Sequence, residues 1–316
     1  MRITSARHRA RTPRRHSAKR VWRFSVFNTV FVVLVLGGLG LVEYPTVASW
    51  VTQYNQSRVL EDQTRATTEQ AAAELARSFN EAVAYNAALQ SGALVEAGVN
   101  VASGTGAGDT KLDYWGLLVA DPSRIMARLR IPAIDLDLPT YHGTADDTLL
   151  KGLGHLEGTS LPVGGKGTRS VITGHRGLAD ATMFTNLDRV KDGDVFSVEV
   201  LGQVLSYRVS DIQVVDPEDT ERIRAVPGKD LMTLITCTPL GINTQRILIT
   251  GERITPTPQG EIDAMGDAPD VPGFPWWAPI SGAILLGVGT WYWRAGYAPA
   301  STPRTITAGS DAAPIR

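Results

Sequence analysis

Met232-Thr233-Leu234-Ile235-Thr236-Cys237-Thr238-Pro239 is an apolar run, rich in β-branched residues, that leads into the turn signal Thr238-Pro239-Leu240-Gly241. β-Branched side chains suit a pleated, half-buried surface, so residues 231–237 read as a strand. That strand ends on the only cysteine of the 316-residue chain. Neighbouring segments read the same way. Residues 128–132 and 134–139 alternate with period two, and 170–173, 195–201, 204–215 and 246–253 are further strands. Lys191-Asp192-Gly193-Asp194 and Gly202-Gln203 punctuate them as turns, and a short helix is expected over 181–189. Six or more short strands so separated predict a mainly β domain over residues 121–256, a closed barrel or a sandwich. Its length is enough for one core.

Two uncharged apolar segments flank this region. Residues 24–42 follow a basic block, residues 1–23, that includes Arg2, Arg7, Arg9, Arg11, Arg14, Arg15, Lys19, Arg20 and Arg23. About 20 apolar residues cross a bilayer, so 24–42 is expected to be a transmembrane signal anchor. A cleaved signal peptide is the alternative, with Val47-Ala48-Ser49 as its small-residue site. Residues 274–293 form the second segment, with Trp276 and Trp277 at one end and Trp291, Tyr292 and Trp293 at the other. Aromatic residues favour both membrane interfaces, so a second transmembrane helix is expected there. The tail 294–316 follows, with Arg294 and Arg304. Both termini are then cytoplasmic and residues 43–273 face outward as one loop. The formal net charge of −1 and the balanced middle of the chain argue against a nucleic-acid partner.

Residues 43–120 are expected to be largely helical. Glu69 to Leu89 is rich in alanine and glutamate, and Ala72, Leu75, Phe79, Ala82 and Leu89 recur at helical spacing. Residues 91–112 carry Gly92, Gly98, Gly104, Gly106 and Gly108 and read as a flexible linker or as a mobile loop over a site. Residues 257–273 are rich in proline and glycine and read as a linker.

A lone thiol outside the membrane has no disulfide partner in its own chain, which favours a chemical role for Cys237. The thiolate is the nucleophile, and an ordinary cysteine ionises only near pH 8.5, about a unit and a half above neutrality. A basic partner is therefore expected. His142, His155 and His175 lie in the outer region. His175 is favoured, because it ends a strand between Gly174 and Gly177, and glycines permit close approach. An oxyanion stabiliser is also required. Arg246 opens the strand that follows Cys237 at a hairpin-like distance.

Thr233-Leu234-Ile235-Thr236-Cys237 resembles the sortase Thr-Leu-x-Thr-Cys signature, and Thr173-Gly174-His175 and Arg246 match that family's catalytic histidine and arginine in the same order. Pro239-Leu240-Gly241-Ile242-Asn243-Thr244 resembles the loop before that arginine. Tyr141-His142-Gly143-Thr144 and the stretch from Gly154 to Pro162 are similar to segments of the class C, pilin-polymerising branch. The resemblance implies a sortase β-barrel with short helices, preceded by a helical region and flanked by two transmembrane helices. It implies a membrane-anchored cysteine transpeptidase with Cys237, His175 and Arg246 as its catalytic residues. The enzyme would cleave an LPXTG-like sorting signal between Thr and Gly and join the acyl group to a pilin lysine. Pilins and other surface proteins with such signals would be its partners. Class C members commonly carry a lid with an Asp-Pro-aromatic triplet; 91–112 stands in the lid's place without one, and Asp113-Tyr114-Trp115 lacks the proline. Alternatives are cell-wall anchoring through a peptidoglycan-precursor amine and a non-enzymatic membrane scaffold. Neither a phosphate loop nor a metal-ligand cluster is present in the sequence, so no cofactor is expected.

Overall fold

Two helices come first, α1 (Val26–Glu69) and α2 (Ala72–Gln90). They precede β1 (Ile125–Ile131), β2 (Leu136–His142), the single turn α3 (Asp146–Leu149), β3 (Leu153–His155) and β4 (Thr168–Thr173). Then follow β5 (Val195–Val200), β6 (Gln203–Val215), β7 (Asp230–Thr238), β8 (Gln245–Arg253), α4 (Gln259–Asp263) and α5 (Trp277–Ala295). The structure, a computed structural model, describes residues 21–90, 113–269 and 272–297, so the expected loop or lid over 91–112 lies outside the described residues. The chain divides into two units, Glu43–Pro275 and the pair Met1–Val42 with Trp276–Arg316.

The eight strands of the larger unit close into one barrel in the order β1-β2-β3-β4-β7-β8-β6-β5. Neighbours are antiparallel except for β2 with β3 and β4 with β7, which run parallel. Closure removes both sheet edges, which otherwise invite aggregation. Met232 and Leu234 of β7 and Ile247 and Ile249 of β8 join the core, with Phe184, Phe196 and Tyr207 among the large buried side chains. Alternation along a strand therefore turns Thr233, Ile235 and Cys237 to the other face. The helical periodicity of α2 places Ala82 in the core and packs Leu75, Phe79 and Leu89 against it. From α1, Leu60 is buried and Gln56 Nε2 donates to Lys151 O (3.1 Å).

Three segments differ from the sequence expectation. β3 carries no strand signature, being three residues with a glycine at its centre. A side chain at Gly154 would strike the Gly143 carbonyl, so only glycine lets β2 and β3 approach there. Residues 181–189 form only a 3-10 turn at Leu187–Arg189, because Phe184 N turns back to donate to His175 O (2.9 Å). The stretch 257–269, expected as linker, contains α4 and is tied to the barrel. Arg128 Nη1 donates to Asp267 O (2.8 Å) and Arg130 Nη1 to Ala264 O (2.9 Å). Arg128 is itself buried and held by both Asp137 oxygens, at 2.7 and 2.6 Å.

In the smaller unit, α1 is, among the described residues, the one helix long and apolar enough to cross a membrane. α5 is helical where a second transmembrane helix was expected, but with tryptophans, Tyr292 and Arg294 among its residues it is not long and apolar enough to count as a span. The two helices meet through a Thr29–Tyr292 hydroxyl pair (2.8 Å) and the Phe31 and Trp291 rings (5.4 Å between centroids).

Two histidines knot the chain that enters the barrel. The 3-10 turn Tyr114–Gly116 buries the Tyr114 ring against His142 and His155, which face each other across β2 and β3. His155 Nε2 donates to Ser160 O (2.9 Å), so its Nδ1 accepts from the Tyr114 hydroxyl (3.0 Å). His142 Nε2 donates to Leu117 O (2.8 Å). Burial disfavours the charged form of both rings. Burial pushes His155 down to about 4 and lowers His142 below its ordinary value. Below the ordinary histidine value near 6.5 the unfolded chain therefore binds more protons than the folded one. Their contribution to stability is complete above about pH 6.5 and is lost as the pH falls toward 4. Thermal melts of the wild type and His155→Gln across pH 8 to 4.5 should show the two curves converging as the pH drops, by on the order of 2 kcal/mol. Parallel curves would contradict a neutral buried His155.

Candidate active site

The site lies where β4 and β7 end side by side. Their parallel register runs from Thr168↔Asp230 to Thr173↔Ile235. Continued by two residues, it sets His175 beside Cys237, and adjacent strands lie about 4.8 Å apart. The pairing persists past the last ladder residue, since Gly174 N donates to Ile235 O (3.1 Å) and Thr236 Oγ1 to Gly174 O (2.8 Å). On the other side β7 is antiparallel to β8, and Cys237 stands directly opposite Arg246. Directly opposed residues point to the same face. The pairs Thr233/Thr250, Ile235/Leu248 and Cys237/Arg246 therefore form one column on the outer face of the barrel. The three residues read from the sequence as candidates, Cys237, His175 and Arg246, are brought to one end of three adjacent strands. All three are partly exposed.

The backbone around the histidine is pinned. Gly174 is bonded at both its N–H and its carbonyl, and His175 O accepts from Phe184 N. Gly177 N donates to Thr185 Oγ1 (3.1 Å). A Cβ at Gly174 would meet Leu153 Cδ2 at 2.6 Å and the Phe184 ring at 2.7 Å. The glycine before the histidine thus serves the packing of core side chains beneath the site. The imidazole itself makes no hydrogen bond among the described residues, so the pinned backbone presents a ring that is free to engage a ligand.

Threonines flank the thiol for the same reason. Thr236 is buried and bonded to Gly174, and Thr238 Oγ1 accepts from Arg176 Nη1 (2.9 Å). Lower in the column Thr233 and Thr250 share a hydroxyl bond (3.0 Å) and both accept from Arg169 Nη1, at 3.0 and 3.4 Å. The same nitrogen donates to Arg222 O (2.8 Å), tying the 3-10 turn Thr220–Ile223 to the barrel wall. Arg246 is turned onto its own loop, where Nη1 donates to Asn243 O (3.0 Å) and Gln245 O (2.9 Å). Among the described residues its guanidinium makes no hydrogen bond to Cys237.

His142 and His155, the other histidines weighed from the sequence, sit in the buried Tyr114 knot and not with Cys237. Sequence reasoning passed over Arg176, Thr236 and Thr238 as site residues. The alternation of threonine about the cysteine was the available signal: buried hydroxyls beside a strand end require partners. The arrangement offers a thiol, an imidazole and a guanidinium on one open face, a set suited to acyl transfer through a thioester.

A family model for the sortase domain matches residues 129–254. The structure is similar to sortase C-1 from Actinomyces oris, at 49% identity and a TM-score of 0.50 over 57% of this chain and 98% of that one. It is also similar to sortase C from Streptococcus pneumoniae, whose structure is described as giving insights into catalysis and pilin substrate specificity. There the identity is 38% and the TM-score 0.54, over 64% of this chain and 98% of the other. Among curated relatives, sortase D from Bacillus subtilis (strain 168) is 31% identical over 130 residues, 40% of this chain; the match spans 63% of that relative's length. With 98% of each of two sortase C structures covered at 49% and 38% identity, this chain belongs to the sortase family.

Proposed function

We propose that the chain is a membrane-anchored cysteine transpeptidase that cleaves an LPXTG-like sorting signal between Thr and Gly and joins the acyl group to a pilin lysine. The observation that carries this reading is the strand register, which sets Cys237 opposite Arg246 and one strand from His175. Similarity to a sortase C studied for pilin specificity supports a pilin substrate.

The thiolate of Cys237 attacks the threonine carbonyl and forms a C–S bond. The carbonyl oxygen takes the negative charge, and the Arg246 guanidinium, rotated off its loop carbonyls, holds it. Collapse of this intermediate breaks the C–N bond, and His175 gives its proton to the departing glycine amine. The product is a thioester on Cys237, which keeps the acyl group activated. The acceptor lysine amine then attacks the thioester carbonyl and passes a proton to His175. The C–S bond breaks, Cys237 leaves as thiolate, and an amide remains. In this reading α1 serves as the anchor and the barrel faces the outside of the cell.

Cys237→Ala should yield no acyl adduct by mass spectrometry with a sorting-signal peptide, while its melting profile stays that of the wild type. Undiminished transfer by this variant would remove the assignment. His175→Ala should lower turnover by about 10²–10⁴-fold. Arg246→Lys should lose about 10²–10³-fold, because a compact ammonium does not replace a planar fork. Near-normal turnover by Arg246→Lys would exclude the oxyanion role. Incubation of the full chain with sorting-signal peptide and competing amines should favour a pilin lysine; preference for a peptidoglycan-precursor amine would identify cell-wall anchoring instead.

A further inference from the structure

We infer that Arg176 is a positioning residue for the Cys237–His175 pair, joining the segment that carries the histidine to the strand end that carries the thiol. The inference rests on the thioester reading given above. Arg176 follows His175 directly, yet its side chain is only 8% exposed. Its guanidinium has three partners in two segments, 181–189 and the end of β7. Nη1 donates to Thr238 Oγ1 at 2.9 Å, Nη2 meets Asp188 Oδ2 at 2.7 Å, and Nε donates to Thr185 O at 3.3 Å. Thr238 is the residue after Cys237, and Asp188 lies in the 3-10 turn Leu187–Arg189.

The backbone ladder between β4 and β7 stops at Gly174 N to Ile235 O. Beyond that point the two chains carry the reacting side chains with no ladder between them. Among the described residues, the Arg176–Thr238 bond is the hydrogen bond that joins 175–177 to 237–239. It therefore sets the spacing of imidazole and sulfur where the sheet no longer does. Asp188 and Thr185 fix the plane of the guanidinium, so the fork that reaches Thr238 is held in place. The charge is neutralised by Asp188, which leaves Arg176 as a brace and distinguishes it from Arg246, whose contacts are uncharged loop carbonyls. A lysine could keep the charge but would give up the fork that spans Asp188, Thr185 and Thr238. A shift of about 1 Å between reacting groups costs about 10²-fold in rate.

The test uses the full-length chain purified in detergent, with Arg176→Lys, Asp188→Asn and Thr238→Val. Thr238→Val keeps the shape and removes the acceptor hydroxyl, so it probes the brace even if Arg176→Lys folds poorly. With a sorting-signal peptide, Arg176→Lys and Thr238→Val should lower kcat by about 10–100-fold and leave KM within about twofold. Alkylation of Cys237 by iodoacetamide provides a double-mutant cycle. Arg176→Lys should slow labelling when His175 is present and change it by less than about twofold on a His175→Ala background. Equal slowing on both backgrounds, unchanged kcat in Arg176→Lys and Thr238→Val, or a loss that only tracks the fraction of folded protein would overturn the inference. Wild-type kcat in those variants beside an inactive Cys237→Ala sinks the brace alone. An active Cys237→Ala sinks the thioester reading beneath it.

Discussion

Parallel pairing of β4 with β7 is the constraint on which the site depends. Parallel strands end at the same side of a sheet, so Thr173 and Ile235 are followed by His175 and Cys237 travelling in the same direction. An antiparallel pair would have carried them to opposite ends. The third residue comes from the reverse geometry. β8 is antiparallel to β7, so its first residues lie across from the last residues of β7, and Arg246 meets Cys237. One parallel and one antiparallel neighbour thus gather three side chains spread over 72 positions of sequence at one rim. Because side chains alternate with period two, slipping either pairing by one residue would turn one of the three into the core.

This rim is expensive to build. Strand ends leave backbone groups without ladder partners, and buried groups left so cost about 1–3 kcal/mol each. Hydroxyls and one glycine resolve the problem. Thr236 caps the Gly174 carbonyl, Thr185 satisfies Gly177 N, and Thr238 receives Arg176. Valine in these positions would match the apolar character of β7 and strand the groups beside it. The threonines around Cys237 are therefore part of the barrel's hydrogen-bond network.

Most of the barrel was legible in the sequence because its long strands alternate cleanly. β6, β7 and β8 fall within one residue of the segments expected at 204–215, 231–237 and 246–253. What failed was decided by tertiary contacts. β3 exists because β2 and β4 hold its three residues between them, with Gly154 tight against Gly143. The helix expected over 181–189 loses to a bond that turns the chain back on the histidine segment, Phe184 N to His175 O. The tether of 257–269 depends on Arg128 and Arg130, whose carbonyl partners lie more than 130 residues away. Cys237, His175 and Arg246 could be named from motif and order, but Arg176 could not. Its partners Thr185, Asp188 and Thr238 are ordinary residues until the fold places them round one guanidinium.

The three histidines of the barrel show how environment divides one residue type between two tasks. His155 and His142 are enclosed by Tyr114 and carbonyl acceptors, and enclosure holds them neutral. A neutral ring whose nitrogens are committed to Ser160 O and Tyr114 can neither give nor take a proton without breaking the knot. His175 has the opposite balance: its backbone is fixed on both sides, while its partly exposed ring makes no hydrogen bond among the described residues. In the proposed mechanism, proton transfer to a departing amine needs a ring that can change charge at constant position, so rigidity must come from the main chain and not from bonds to the imidazole. The same division holds across the strand, where Arg176 is locked and buried while Arg246 rests on exchangeable loop carbonyls. The mechanism proposed here, which stabilises charge only transiently, calls for one guanidinium committed to geometry and another left able to move.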